Sequence, residues 1–180
     1  MRNIMIFLCI ACMVSIPITP VMSANQGTVK LKLSSTAFKE HASIPKQYTC
    51  NGKDVNPPLM IDNIPKGTKS LALIVDDPDA PVGIWVHWVV WNIDPSIREI
   101  KENFLPQGAI QGINDFGKNA YGGPCPPSGT HRYFFKVYAL DTLLNLPPHA
   151  RKADLEKAMK GHIIGQGELI GTYKKSRFGF

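Results

Sequence analysis

The sequence has little cysteine and no block of basic residues. It also lacks an internal repeat, a low-complexity segment and any apolar run long enough to span a bilayer. Each absence excludes something. Of the four cysteines, Cys9 and Cys12 fall within the first 24 residues, so only Cys50 and Cys125 lie in the rest of the chain. Two cysteines cannot build a structural zinc site unaided, because such sites take four ligands. The basic residues are scattered, from Lys30, Lys32 and Lys39 to Lys174, Lys175 and Arg177. Scatter of this kind marks a solvated surface, whereas a nucleic-acid partner would call for a concentrated basic patch. No nucleic-acid partner is expected, and peripheral contact with an anionic membrane surface stays open. With no repeat and no linker, the expectation is one domain.

What is present begins at the N-terminus. Met1-Arg2-Asn3 is a short basic opening, Ile4 to Ile16 is almost unbroken apolar sequence, and Val21-Met22-Ser23-Ala24 supplies small residues. Charge, apolar stretch and small-residue exit together read as a secretory signal peptide. A permanent membrane helix would need about 20 apolar residues, and Pro17 and Pro20 interrupt this stretch. A lipid anchor on Cys12 is disfavoured by the residues that precede it. Cleavage near Ala24 removes residues 1–24 and one charge, Arg2. Residues 25–180 then form a single domain with a net charge of +5, against +6 for the whole chain. The expected location is periplasmic or secreted. There an oxidising compartment favours a Cys50–Cys125 disulfide, with two buried free thiols as the alternative.

The pattern of the remaining chain is β. Val29 to Leu33 alternates apolar and basic residues, as a half-exposed strand does. Ser70 to Val75, Val86 to Ile93 and Tyr133 to Leu140 are apolar runs rich in β-branched and aromatic residues, typical of buried strands. Residues 40–68 and 104–130 are rich in Gly, Pro, Asn and Asp, and read as long irregular connections. One helix is expected around Leu155, Ala158, Met159 and Ile163, stopped by Gly161, and Glu168 to Tyr173 offers a closing strand. The fold class is mainly β, two packed antiparallel sheets with one or two small peripheral helices.

Three clusters carry chemistry. In Asp76-Asp77-Pro78-Asp79-Ala80-Pro81, three carboxylates within four positions repel one another unless cations, backbone donors or solvent compensate. A calcium loop is excluded, because the later Gly and the distal Glu are missing. In Trp85-Val86-His87-Trp88, a histidine opens an apolar strand between large aromatic residues. The third cluster, Tyr121-Gly122-Gly123-Pro124-Cys125-Pro126-Pro127 running into His131-Arg132-Tyr133, combines a stiff glycine loop with a histidine and a tyrosine. Glycines let backbone N–H groups approach a ligand, and consecutive N–H groups form anion-binding nests. The loop lacks the Lys-Ser/Thr ending and the following helix of a nucleotide motif.

Together the Asp77-Pro78-Asp79-Ala80-Pro81 element, His87 on its strand and the glycine–proline loop leading into His131-Arg132-Tyr133 resemble the phosphatidylethanolamine-binding proteins. Gly122-Gly123-Pro124-Cys125-Pro126-Pro127 is most similar to the bacterial, Raf-kinase-inhibitor-like branch. The resemblance implies a β-sandwich with small helices at one end and a shallow pocket for phosphate, phosphoethanolamine or a similar anion. It implies that Asp77 and Asp79 line the pocket, Asp77 orienting His87 or receiving an ammonium group. His87 and His131 face the anion, Gly123 and the loop through Pro126 give backbone contacts, Tyr133 closes one side and Trp85 forms an apolar wall. Cys125 departs from the glycine common in eukaryotic relatives, and there is no room after the closing strand for their C-terminal helix.

The expected function is an exported protein binding a small phosphate-containing anion, with no catalytic residues, cofactor or metal. Inhibition of a peptidase or kinase-like protein through the pocket surface is the alternative. A mononuclear metal hydrolase using His87, His131 and Asp77 is a further one. Residues 104–120 form either a dimer face or a rim of the pocket.

Overall fold

A computed structural model describes residues 27–174. The expected signal peptide, residues 1–24, lies outside the described residues. Among the described residues nine strands follow one another: β1 (Val29–Lys30), β2 (Lys32–Ser34), β3 (Leu59–Asp62), β4 (Ser70–Asp77), β5 (Trp85–Ile93), β6 (Glu99–Ile100), β7 (Ile110–Gln111), β8 (Thr130–Leu140) and β9 (Ile163–Lys174). A 3₁₀ turn covers Lys46–Tyr48, and one helix, α1, covers Lys152–Met159. The larger sheet has the order β1-β9-β8-β4-β5-β7, and the smaller one β2-β3-β6. The chain is thus mainly β, as its composition indicated.

The alternating Val29–Leu33 segment does not form one strand. Leu31 is buried, and the chain changes sheet there: β1 pairs in parallel with β9, and β2 pairs antiparallel with β3. The larger sheet is therefore not purely antiparallel. A strand that bends from one sheet to the other closes a corner of the sandwich. Gly167 makes the bend fit, since a Cβ there would lie 2.4 Å from the Leu31 carbonyl oxygen.

Two apolar layers explain the continuous hydrophobic runs. Leu71, Leu73 and Val75 of β4 face the smaller sheet and meet Leu33, Leu59, Ile61, Phe135 and Val137 in the main core. Ala72 and Ile74 face the opposite way, joining Val89 and Trp91 beneath Leu144, Ala150, Leu155 and Met159. A strand buried on both faces has no polar side to display, so its sequence reads as an unbroken apolar run. Helix α1 packs on the outer face of the larger sheet through Leu155 and Met159, not at an end of the sandwich. It stops before Gly161, which has φ of +84°, so Ile163 opens β9 instead of extending the helix. Asp154 caps the helix start by accepting from the Arg151 N–H at 2.9 Å.

Antiparallel pairing of β4 with both β5 and β8 brings the end of β4 and the starts of β5 and β8 to one end of the sheet. That edge carries all three sequence clusters.

Candidate functional site

The three carboxylates after Val75 are separated by strand alternation and a turn, and each has its own hydrogen-bond donors. Asp76, with its side chain 1% exposed, points to the outer face and accepts from Lys136 Nζ at 2.8 Å and Lys152 Nζ at 2.8 Å. Asp77 points to the other side, where His131 Nδ1 lies 2.7 Å from its Oδ2. Its second oxygen, Oδ1, accepts from the Asp79 N–H at 2.8 Å. Asp79 receives Arg132 Nη2 at 2.7 Å, Nε at 2.9 Å and the Arg132 N–H at 2.9 Å. Arg132, through these hydrogen bonds, holds the Asp79 carboxyl down at about 2. Mutual repulsion is thus compensated pair by pair.

His87 owes its position to a β-bulge. Val75 pairs with Trp88 and Asp76 with Val86, so His87 is the extra residue on β5. A bulge re-aims a side chain at the end of a strand, and here it breaks the in-and-out alternation at the pocket. The imidazole is 2% exposed, with Nδ1 2.6 Å from the Gly122 carbonyl oxygen. Gly122 N–H donates back to the His87 carbonyl at 3.0 Å, so the two residues lock each other. Nδ1 carries the proton in that contact, which leaves Nε2 as the ring nitrogen available to a ligand. Burial pushes the imidazole pKa below its ordinary 6.5, only partly opposed by the Gly122 carbonyl and the Asp77 charge.

Asn114, fully buried, builds the facing wall. Its Nδ2 donates to the carbonyls of His87 at 3.2 Å and Ala120 at 2.8 Å. Its Oδ1 accepts from the N–H groups of Phe116 and Lys118, both at 3.0 Å. The loop so held presents the Phe116 ring edge-on to Trp85 at 5.5 Å and to His87 at 5.3 Å. Gly122 makes room for that ring, since a Cβ there would lie 2.5 Å from a Phe116 ring carbon.

The resulting cavity encloses about 250 Å³ and is bordered by Asp77, Ala80, Pro81, Val82, Trp85, His87, Phe116, Cys125 and Pro127. Of the residues singled out from sequence, Asp77, Trp85 and His87 border it directly, and His131 is tied to it through Asp77. Asp77 orients His131 rather than His87, whose Nδ1 is taken by Gly122. Asp79 does not line the cavity, because Arg132 occupies its carboxylate. Tyr133 lies under His87, fully buried, with ring centroids 5.2 Å apart. Its hydroxyl has no hydrogen-bond partner among the described residues. Burial, followed by the nearby Asp77 charge, pushes its pKa up.

The N–H groups of the two loop glycines are not free for an anion. The Gly123 N–H donates to Asp54 Oδ1 at 2.6 Å and the Gly122 N–H to His87. Pro124, Pro126 and Pro127 have no N–H to give. Gly123 is required for close packing instead, with a hypothetical Cβ 2.5 Å from the Tyr48 carbonyl oxygen. Pro126 is buried within the loop, and Pro127 takes the place at the cavity. Cys125 is bonded to Cys50, with Cα atoms 5.4 Å apart.

Phe116, Val82 and the buried Asn114 were not singled out from sequence, and Pro127 was read only as part of the glycine–proline loop. Phe116 left one signal, an aromatic residue inside the polar Asn114–Gly117 loop. Within residues 104–120, the Asn114–Phe116 part is a rim of the pocket. Among the described residues, no group of three or more His, Cys, Asp or Glu side chains is placed to hold a metal ion.

The fold and site define a β-sandwich protein with one small histidine-bearing cavity at the end of its larger sheet. The family model described as phosphatidylethanolamine-binding protein matches residues 34–174, and the chain belongs to that family. A UPF0098 protein from Methanothermobacter thermautotrophicus is 51% identical over 150 residues, covering 81% of this chain and 99% of the relative. Another from Pyrococcus horikoshii is 53% identical over 163 residues, covering 86% of this chain and 81% of the relative. Among solved structures, a phosphatidylethanolamine-binding protein homologue from Chlamydia trachomatis superposes with a TM-score of 0.79 at 42% identity. It covers 83% of this chain and 100% of its own. YbcL of E. coli superposes with a TM-score of 0.77 at 32% identity, covering 81% and 99%.

Proposed function

We propose that this protein is an exported binding module, not an enzyme, whose cavity reversibly takes a small phosphate-type anion such as phosphoethanolamine. The observation that carries the reading is His87: a bulge aims it into the cavity, and Gly122 fixes Nδ1 so that Nε2 is left for a ligand. Apolar walls from Trp85 and Phe116 keep the local dielectric low, which strengthens a charge-assisted hydrogen bond. Because burial holds His87 neutral, Nε2 meets a phosphate either by accepting the proton of a monoanion or by taking up a proton on binding. Asp77 stands beside this position and suits a ligand that carries an ammonium group as well as a phosphate.

Calorimetry with phosphoethanolamine tests the site. His87→Ala is expected to abolish binding while the far-ultraviolet circular dichroism stays unchanged, and equal affinity in the two proteins sinks the assignment. Export rests on residues 1–24, and the mass of the protein recovered from its own compartment tests it. A chain still beginning at Met1 would overturn it.

A further inference from the structure

A second cavity, of about 180 Å³, shares no lining residue with the histidine cavity. His87 and Trp88 are neighbours on β5, yet His87 borders the first cavity and Trp88 the second. In the wall of the second, the Trp88 and Tyr121 rings meet edge to face at 5.6 Å. Val55 and Leu105 add aliphatic surface, and Phe104, 48% exposed, forms the side open to solvent. The one charged residue in this lining is Asp54.

Most polar groups of this wall are engaged within the protein. Trp88 Nε1–H donates to Gln111 Oε1 at 2.6 Å, and the Tyr121 hydroxyl donates to the Tyr48 carbonyl at 3.0 Å. The Asn56 amide donates to the carbonyls of Pro57 and Lys101 and accepts from the Phe104 N–H. Asp54 is different. Its Oδ1 accepts from the Gly123 N–H at 2.6 Å, while Oδ2 takes no hydrogen bond among the described residues. No lysine, arginine or histidine among them forms a salt bridge with it, including the exposed Lys53 and Lys101. The carboxylate is also held in place. Asp54 has a φ of +59°, and its N–H donates to the Gln47 carbonyl at 3.2 Å. Burial, followed by the Asp54 charge, pushes the Tyr121 hydroxyl pKa up, so the phenol stays neutral and adds no second negative charge.

We propose that this second cavity receives a guanidinium group, either of a small free guanidine or of an arginine displayed on another chain. A carboxylate with one oxygen open, set among aromatic rings, is complementary to an organic cation. The wall selects among cations. An ammonium is compact and strongly hydrated, and loses much of its water shell against aromatic and aliphatic surface. A guanidinium is planar and weakly hydrated, and it stacks on an aromatic face while its N–H groups reach a carboxylate. Here its plane lies against Phe104 and its N–H groups donate to Asp54 Oδ2, with Asn103 on the same wall. The inference does not depend on what the histidine cavity binds.

The test titrates the protein with N-acetyl-arginine amide, methylguanidine and N-acetyl-lysine amide, following backbone amide resonances. N-acetyl-arginine amide is expected to give saturable shifts at Gly123, whose N–H shares the Asp54 carboxylate, and at Tyr121. The lysine probe is expected to bind more weakly. Asp54→Asn keeps an oxygen for the Gly123 N–H and removes the charge, and should lower arginine affinity at least about tenfold. Phe104→Ala, at an exposed position, should lower it roughly two- to fivefold, the scale of one exposed cation–π contact, and leave phosphoethanolamine binding unchanged. Equal affinity for methylguanidine and the arginine amide supports a free guanidine as the ligand. Tighter binding of the amide supports an arginine on a chain. Absence of saturable shifts at Gly123 overturns the site, as does arginine affinity that neither variant changes. A lysine probe that binds as tightly as the arginine one overturns the guanidinium assignment.

Discussion

His131 Nδ1 lies 2.7 Å from Asp77 Oδ2, with the two side chains 9% and 5% exposed, and the Asp79 N–H occupies the other Asp77 oxygen at 2.8 Å. This arrangement fixes the imidazole: the proton sits on Nδ1, and Nε2 is free. Asp77→Asn keeps the shape but not the pattern. Its carbonyl oxygen must stay on the Asp79 N–H, which turns the amide NH₂ toward His131 and makes Nδ1 an acceptor. The ring then switches to the Nε2–H tautomer. Nitrogen chemical shifts of His131 should report the switch, and an unchanged tautomer would contradict the pairing. Loss of a buried charged hydrogen bond should also cost about 1.5–3 kcal/mol of stability in denaturant titrations.

His87 gives the protein an acid sensitivity whose sign follows from burial. Its folded-state pKa lies below the ordinary 6.5. Above that value both states are neutral and the group is indifferent. As pH falls below it, the unfolded chain takes the proton and the native one does not, so stability falls until the native pKa is reached. His87→Gln should flatten this part of the stability profile between pH 6.5 and the acid limb. Phosphoethanolamine binding by wild type should strengthen over the same descent. Calorimetry in buffers of different ionisation enthalpy should show proton uptake on binding, and a pH-independent affinity there would remove Nε2 from the ligand.

The Asp79–Arg132 contact behaves differently because it is partly solvated, with the side chains 28% and 54% exposed. Its carboxyl is held down to about 2, below the ordinary 3.8, so any stabilisation is present above the ordinary value and is lost as pH falls toward about 2. Solvent and salt screen such a pair, and a double-mutant cycle with Asp79→Ala and Arg132→Ala should give a coupling of about 1 kcal/mol or less. A coupling several times larger would mean that the pair is effectively dry.

Much of this was legible in the residues themselves. The Ser70–Val75 run reads as a doubly buried strand because neither face meets water. Asp77, Trp85 and His87 stood out because polar and aromatic side chains interrupt apolar strands near their ends. What stayed hidden depends on contacts distant in sequence. The bulge that aims His87 exists only in the register between β4 and β5. The sheet change at Leu31 depends on Gly167, and the Phe116 wall depends on room left by Gly122. The glycine loop looked like an anion nest because its N–H groups are free in isolation. Asp54, 69 residues away, claims one of them.

The Cys50–Cys125 bond ties the cavity wall to the segment after the 3₁₀ turn, across 75 residues of sequence. The same two segments are joined by the Cys50 N–H donating to the Pro124 carbonyl at 3.2 Å and by the Gly123–Asp54 contact. The disulfide is therefore one of three ties, and removing it should loosen the wall without opening it. A cross-link closing so long a loop restricts the unfolded chain, and its loss typically costs about 2–5 kcal/mol. The double variant Cys50→Ser with Cys125→Ser should unfold at lower denaturant by that amount, with a slope that rises slightly as the unfolded chain expands. Reductant should shift wild type to the same midpoint and leave the variant unmoved. Because Cys125 borders the cavity, phosphoethanolamine affinity should weaken in parallel under both treatments. A wild-type midpoint indifferent to reductant would show that the two thiols are unbonded in the folded protein.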